Sequence, residues 1–290
     1  MHYILLSVLC SVAVSVLLKL AKRYAVDINQ AIVVNYLVAI VVTAVWLDPR
    51  PASLLQPDAH AAWPVLLALG VLLPSIFAVL ALAVRRAGVV RADAAQRLSL
   101  LLPLIAAFTV FGEPFSWLKG LGIAIGLAAI ACLVARRDDG TGDHGRDGTG
   151  WLWLILVFVG MGAIDILFKR VAQLVDVSFP TVLLATFLLA FILSGFAIAA
   201  LYLSGRARLH PRHVIAGVVL GLLNFGNIVF YIEAHRALPR NPATVFSAMN
   251  IGVIAVATLV GVWLFRERLN RWNRAGVVLA IAAVAVIAAT

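Results

Sequence analysis

The feature that most constrains this chain is a series of ten long apolar segments. A helix needs about 20 mostly apolar residues to cross the hydrocarbon core of a membrane. Ten segments approach that length, and short polar breaks separate most of them. The sequence therefore predicts an all-α membrane protein with ten transmembrane helices. The predicted spans cover approximately residues 3–20, 29–47, 63–84, 92–111, 120–135, 151–170, 179–203, 214–234, 242–265 and 275–289.

The composition excludes several other classes of protein. Of the 290 residues, 63% are hydrophobic and 12% are charged, whereas a soluble domain has about 45–50% apolar and about 25% charged residues. The alternating segments of a transmembrane β-barrel are absent from the sequence. A net charge of +10 would suit a nucleic-acid-binding protein, but the basic residues lie between apolar segments and not on one soluble face. We expect a multi-pass protein of the plasma (inner) membrane. Its partner would be the lipid bilayer, and it would not bind nucleic acid.

No motif predicts an enzyme or a cofactor. The sequence contains no P-loop, no dinucleotide fingerprint and no metal-ligand cluster, and no nucleophile stands beside a base. We therefore expect no catalytic residues, no metal and no cofactor.

The chain repeats itself. Residues 98–111, a turn with Glu113 and residues 120–134 recur as residues 245–265, a turn with Glu267 and residues 275–289. A hydrophilic linker at 136–150 separates the halves, so we predict a first five-helix repeat at 1–135 and a second at 151–290. Because each half has an odd number of spans, the repeats lie in opposite orientations. Inverted repeats are a common plan of transporters, which bind their substrate near the middle of the membrane.

Charge predicts the orientation of the chain. Fifteen Lys and Arg residues follow odd-numbered spans, and four follow even-numbered spans. Basic loops stay in the cytoplasm, so both termini are expected on the opposite face.

The two repeats resemble a known family. An apolar helix, a glutamate turn (FGEP at 111–114, FRER at 265–268) and a Gly/Ala-rich helix close each half, as in the EamA-type drug/metabolite transporters. The resemblance covers nearly the whole chain and implies transport of amino acids, drugs or other metabolites. It also implies cytoplasmic termini, which conflicts with the charge count. The first span holds Lys19 and no carboxylate, so the coupling glutamate of the four-helix relatives has no counterpart here.

Ionisable groups inside spans are costly and mark candidate sites. Asp165 and Lys169 lie four residues apart on the sixth span and can pair. They form either a neutralised pair near a helix end or part of a cavity, where Asp165 would be the coupling residue. Asp93 and Arg97 have the same spacing, and Arg97 faces either a cavity or the membrane interface.

A polar stripe marks the eighth span. Asn224, Asn227 and Tyr231 follow the i, i+3, i+7 spacing of one helix face. Two amides and a phenol can line a cavity or form hydrogen bonds between helices. Asn35, on the second span, is a weaker candidate of the same kind. The predicted substrate-binding residues are therefore Arg97, Asn224, Asn227, Tyr231, Lys169 and Asn35.

Together these features predict a transporter that moves small polar or amphipathic metabolites by alternating access, with export as the favoured direction. A lipid or lipid-linked sugar flippase of the same fold and a membrane-embedded enzyme are the alternatives. The partners would be a small-molecule substrate and lipid, and a homodimer is left open.

Overall fold

The structure, a computed structural model, describes residues 1–24, 26–134, 150–204, 210–265 and 271–288. These residues form α-helices, two short 3-10 helices at Pro51–Leu55 and Pro57–Ala61, and connecting turns. The predicted linker and the second glutamate turn with Glu267 lie outside the described residues. The helices are α1 (His2–Arg23), α2 (Ile28–Trp46), α3 (Ala62–Ala87), α4 (Val89–Leu98), α5 (Leu101–Thr109), α6 (Trp117–Val134), α7 (Gly150–Gln173), α8 (Phe179–Leu203), α9 (Pro211–Ala237), α10 (Pro242–Phe265) and α11 (Arg271–Ala288).

The helices account for the ten predicted spans. Within the described ranges, seven helices are long and apolar enough to cross a membrane. The two closing helices, α6 and α11, are shorter but apolar, and α4 with α5 makes the remaining span. The predicted all-α class with ten spans is therefore confirmed.

The fourth span is broken near its middle, where a continuous helix was predicted. Pro103 has no N–H group to donate to the carbonyl of Ser99, four residues earlier. Instead, Leu102 N donates to Ser99 O at 3.1 Å. This bond joins residues three apart, so the backbone forms a tighter turn here than in an α-helix. The Ser99 hydroxyl in turn donates to Gln96 O at 2.6 Å. The break separates α4 from α5, and it packs against α7, where a Cβ on Gly162 would lie 3.0 Å from Ser99 O.

The chain forms two compact units. Unit 1 comprises Met1–Val8, Ile76–Ile166 and Ala234–Thr290, and unit 2 comprises Leu9–Ser75 and Leu167–Glu233. Each unit therefore contains helices from both halves of the sequence. The division into repeats at 1–135 and 151–290 stays a prediction about the sequence.

Unit 1 is built on the packing of the two closing helices. α6 packs along α11, and α10 packs against α5, α6 and α11. A Cβ on Gly122 would lie 2.6 Å from Ile287 of α11, and one on Gly126 would meet Ile251 of α10. These two glycines thus allow α6 to approach α11 and α10 closely.

Unit 2 is built on α2. Its end lies beside the start of α8, because Arg50 N donates to Thr181 Oγ1 at 2.8 Å. Its start is capped by Asp27, whose carboxylate accepts from Asn29 N at 2.9 Å. His213, near the start of α9, accepts from Asp27 N at 3.3 Å. These contacts fix both ends of α2 within the unit.

Candidate functional site

Two asparagines meet where α2 and α9 come closest. A Cβ on Gly221 would lie 2.7 Å from Val38 Cβ and 2.9 Å from Asn35 O, so the helices are nearly in backbone contact. At this level Asn224 Nδ2 donates to Asn35 Oδ1 at 3.2 Å. Asn35 is buried, and Asn224 is half-buried. The structure thus joins two of the predicted residues and satisfies one polar group of each.

The other predicted residues of unit 2 lie on α7 and α9. Lys169 is fully buried, a rare environment for an ammonium group. Tyr231 is 4% exposed, and its ring stands edge-on to Phe168 with centroids 6.2 Å apart. Asn227 is half-buried. Unit 2 therefore holds an ammonium group, a phenol and three carboxamides on apolar helices.

Asp165 lies in unit 1, where it contacts α10. Asn250 Nδ2 is 3.4 Å from Asp165 Oδ2 and also donates to Phe246 O at 3.0 Å. Asp165 and Asn250 are both half-buried. This contact joins the predicted coupling residue to an amide of the ninth predicted span.

Arg97 lies in the last turn of α4, directly before the break in the fourth span. Its Nε donates to Asp93 Oδ2 at 2.9 Å, so the pair predicted from the i, i+4 spacing is confirmed. The two side chains are 24% and 28% exposed. Arg97 thus has a charged partner without being fully buried.

The structure adds a buried network around Glu113. Lys119 Nζ donates to Glu113 Oε1 at 2.7 Å and to Asn241 Oδ1 at 3.0 Å. Ala243 N donates to Glu113 Oε2 at 2.6 Å. The Glu113 and Lys119 side chains are 0% and 7% exposed. The two charged side chains therefore form hydrogen bonds with the residues on either side of Pro242, the first residue of α10.

Glu113 stabilises the start of a helix that is distant from it in the sequence. Its carboxylate caps the start of α10, more than a hundred residues away, and not the start of α6. A carboxylate at a helix start accepts from free N–H groups and is favoured by the helix dipole. The only sequence sign of this site was Asn241-Pro242, since proline is common at the first position of a helix.

The described side chains show no arrangement for metal chemistry. No group of three or more His, Cys, Asp or Glu residues lies close enough to hold a metal ion within the described ranges. The polar groups described above include amides, hydroxyls and the Asp93–Arg97 and Glu113–Lys119 ion pairs, which bind polar molecules through hydrogen bonds and charge.

Comparison with known proteins identifies the family. The model of the EamA-like transporter family matches residues 1–135 and again residues 148–289. An uncharacterized protein of Haemophilus influenzae is 42% identical over 287 residues, which is 98% of this chain and 96% of the relative. A solved crystal structure has the same fold, with a TM-score of 0.74 at 18% identity over 98% of this chain and 94% of that one. The chain therefore belongs to the EamA-like transporter family, whose members are multi-pass membrane transporters of small molecules.

Proposed function

We propose that this protein exports small polar or amphipathic metabolites across the inner membrane by alternating access. The observation that carries the proposal is the burial of polar side chains on helices that span the membrane. Lys169, Asn35 and Tyr231, which all belong to unit 2, are almost completely buried. Ionisable groups within spanning segments are costly and face a partner or a water-filled cavity. A chain that only had to stay in the membrane would not need these groups.

The chemistry of the candidate residues favours a zwitterionic or anionic substrate. Lys169 and Arg97 would attract a carboxylate or phosphate group. Asn224, Asn227 and Tyr231 would orient the rest of the molecule through hydrogen bonds. Asp165 would hold a coupling proton or a cationic group of the substrate.

Ligand-induced thermal stabilisation tests the proposed site. Screening zwitterionic and anionic metabolites against purified protein should identify compounds that raise the melting temperature. Arg97→Ala and Asn227→Ala should each abolish that rise, because each removes a group that binds the substrate, while the protein stays folded. Arg212 and Asn29 are exposed near helix starts, so Arg212→Ala and Asn29→Ala are the matched controls and should keep the rise.

Transport of the stabilising compound in proteoliposomes then tests the function. Accumulation or counterflow of the compound supports the proposal. Movement of a labelled lipid without movement of the compound would identify a flippase, and chemical conversion of the compound would identify an enzyme. Equal stabilisation of the Arg97 and Asn227 variants would show that the site lies elsewhere.

The charge distribution gives a separate prediction of orientation. A reporter fused after residue 290 should lie on the extracytoplasmic face, because the loops after odd-numbered spans carry most of the basic residues. The same reporter inserted in the linker at 136–150 should lie in the cytoplasm. The reverse result at both positions would show that the family's usual arrangement overrides the charge rule in this chain.

A further inference from the structure

One side of α10 carries a buried series of polar groups that the Glu113 network does not use. Thr244, Ser247 and Asn250 follow one another at intervals of three residues, so neighbouring side chains lie close together on the helix surface. Ser247 is fully buried and Thr244 is 5% exposed. Neither hydroxyl has a hydrogen-bond partner in the part of the chain that the structure describes. Buried hydroxyls without partners are uncommon and suggest that a bound molecule satisfies them.

Asn250 ends this series with an acceptor group. Its Nδ2 group donates to Phe246 O and approaches Asp165 Oδ2, so its NH₂ group is engaged and its Oδ1 is left to accept. Asn250 lies about 12 Å along the helix from Pro242, near the middle of a hydrocarbon core about 30 Å thick. A half-buried amide at that depth is costly against lipid, so a hydrogen-bond donor is expected at Asn250 Oδ1.

The series favours a ligand group that donates hydrogen bonds. Asn250 Oδ1 can only accept, the two hydroxyls can accept, and the Asp165 carboxylate beside Asn250 adds negative charge. We propose that Ser247 and Asn250, neighbours at i, i+3 on α10, form a subsite for a primary ammonium group of the substrate. This subsite deepens the proposed transport function and rests on it. A primary ammonium has N–H donors for both acceptors, whereas a trimethylammonium group has the charge and no donor.

The test uses purified protein and three probes with the same aliphatic chain: a primary amine, its trimethylammonium derivative and the corresponding carboxylate. The amine should raise the melting temperature and the trimethylammonium derivative should not. A rise caused by the carboxylate, which Lys169 and Arg97 would bind, should persist in Ser247→Ala. Ser247→Ala should weaken amine binding about tenfold, the effect of one hydrogen bond. Thr258→Val is the matched control on the same helix, because the Thr258 hydroxyl already donates to Ile254 O at 2.8 Å. It should leave amine binding unchanged.

Ser247→Ala has a second expected effect that separates a ligand site from a structural role. Removing a buried hydroxyl without a partner among the described residues should leave the melting temperature of the ligand-free protein unchanged or raise it. Loss of amine binding without loss of stability supports the subsite. Equal binding of the amine and the trimethylammonium probe, no binding of the amine, or full amine affinity in Ser247→Ala would each overturn it. Because these measurements involve no transport, failure of the proteoliposome assay alone would contradict the proposed function and not the subsite.

Discussion

Replacing Lys119 by Met is expected to lower the free energy of unfolding by about 3–5 kcal/mol, the cost of leaving one member of a buried ion pair without its partner. The Glu113 side chain is 0% exposed, so its carboxylate cannot turn to water when the ammonium is removed. Ala243 N would remain its hydrogen-bond donor, but a single amide does not neutralise the charge. Reversible unfolding of the detergent-purified protein measures the change.

The double variant Glu113→Gln/Lys119→Met tests whether the unpaired charge causes this loss of stability. It removes both charges, and the carbonyl oxygen of the introduced glutamine can still accept from Ala243 N. Replacing a complete buried pair by neutral groups is often nearly neutral for stability, so most of the lost stability should return. Asp93→Asn provides a contrast, because the Asp93–Arg97 pair is partly exposed and such pairs contribute at most about 1 kcal/mol. If Lys119→Met cost no more than Asp93→Asn, the Glu113 network would not hold the start of α10.

The fold could be predicted largely from the sequence because a membrane imposes simple demands. Long apolar segments must be helices, since no water is present to satisfy an exposed backbone. That argument gave the spans, but it missed the division of the fourth one. Pro74 and Pro103 both lie inside predicted spans and can both kink a helix, yet α3 continues through Pro74. Whether a proline bends or interrupts a helix depends on how neighbouring groups satisfy the carbonyl that it frees.

The sequence predicted only those contacts of the candidate site that lie within a single helix. The Asp93–Arg97 pair follows from the spacing of four residues along α4. The contacts of Asn224 with Asn35 and of Glu113 with Ala243 join distant parts of the chain, and helix periodicity carries no information about which helices become neighbours. The sequence identified Asn35 and Glu113 as polar groups that needed an explanation, and it could not name their partners.

The second large effect is expected where α2 meets α9. A Cβ on Gly217 would lie 2.6 Å from Val34 Cβ and 2.9 Å from Ala31 O, and Gly221 has equally close neighbours in Val38 and Asn35. These neighbours are backbone atoms and Cβ atoms, which cannot move aside without moving α2. Overpacking costs about 1–3 kcal/mol at each site, and the better helix propensity of alanine returns about 1 kcal/mol at each. Gly217→Ala/Gly221→Ala should therefore lower the free energy of unfolding by up to about 4 kcal/mol.

The same double variant should also weaken ligand binding, because separating α2 from α9 lengthens the 3.2 Å hydrogen bond between Asn224 and Asn35. Gly195→Ala on α8 is the matched control: a Cβ there meets no atom within 4 Å, and alanine is a better helix former than glycine by about 1 kcal/mol. Gly195→Ala should therefore keep or raise the stability and keep ligand binding. A double variant as stable as Gly195→Ala would mean that α2 and α9 are not in near-backbone contact, and the asparagine pair would then lose its structural basis.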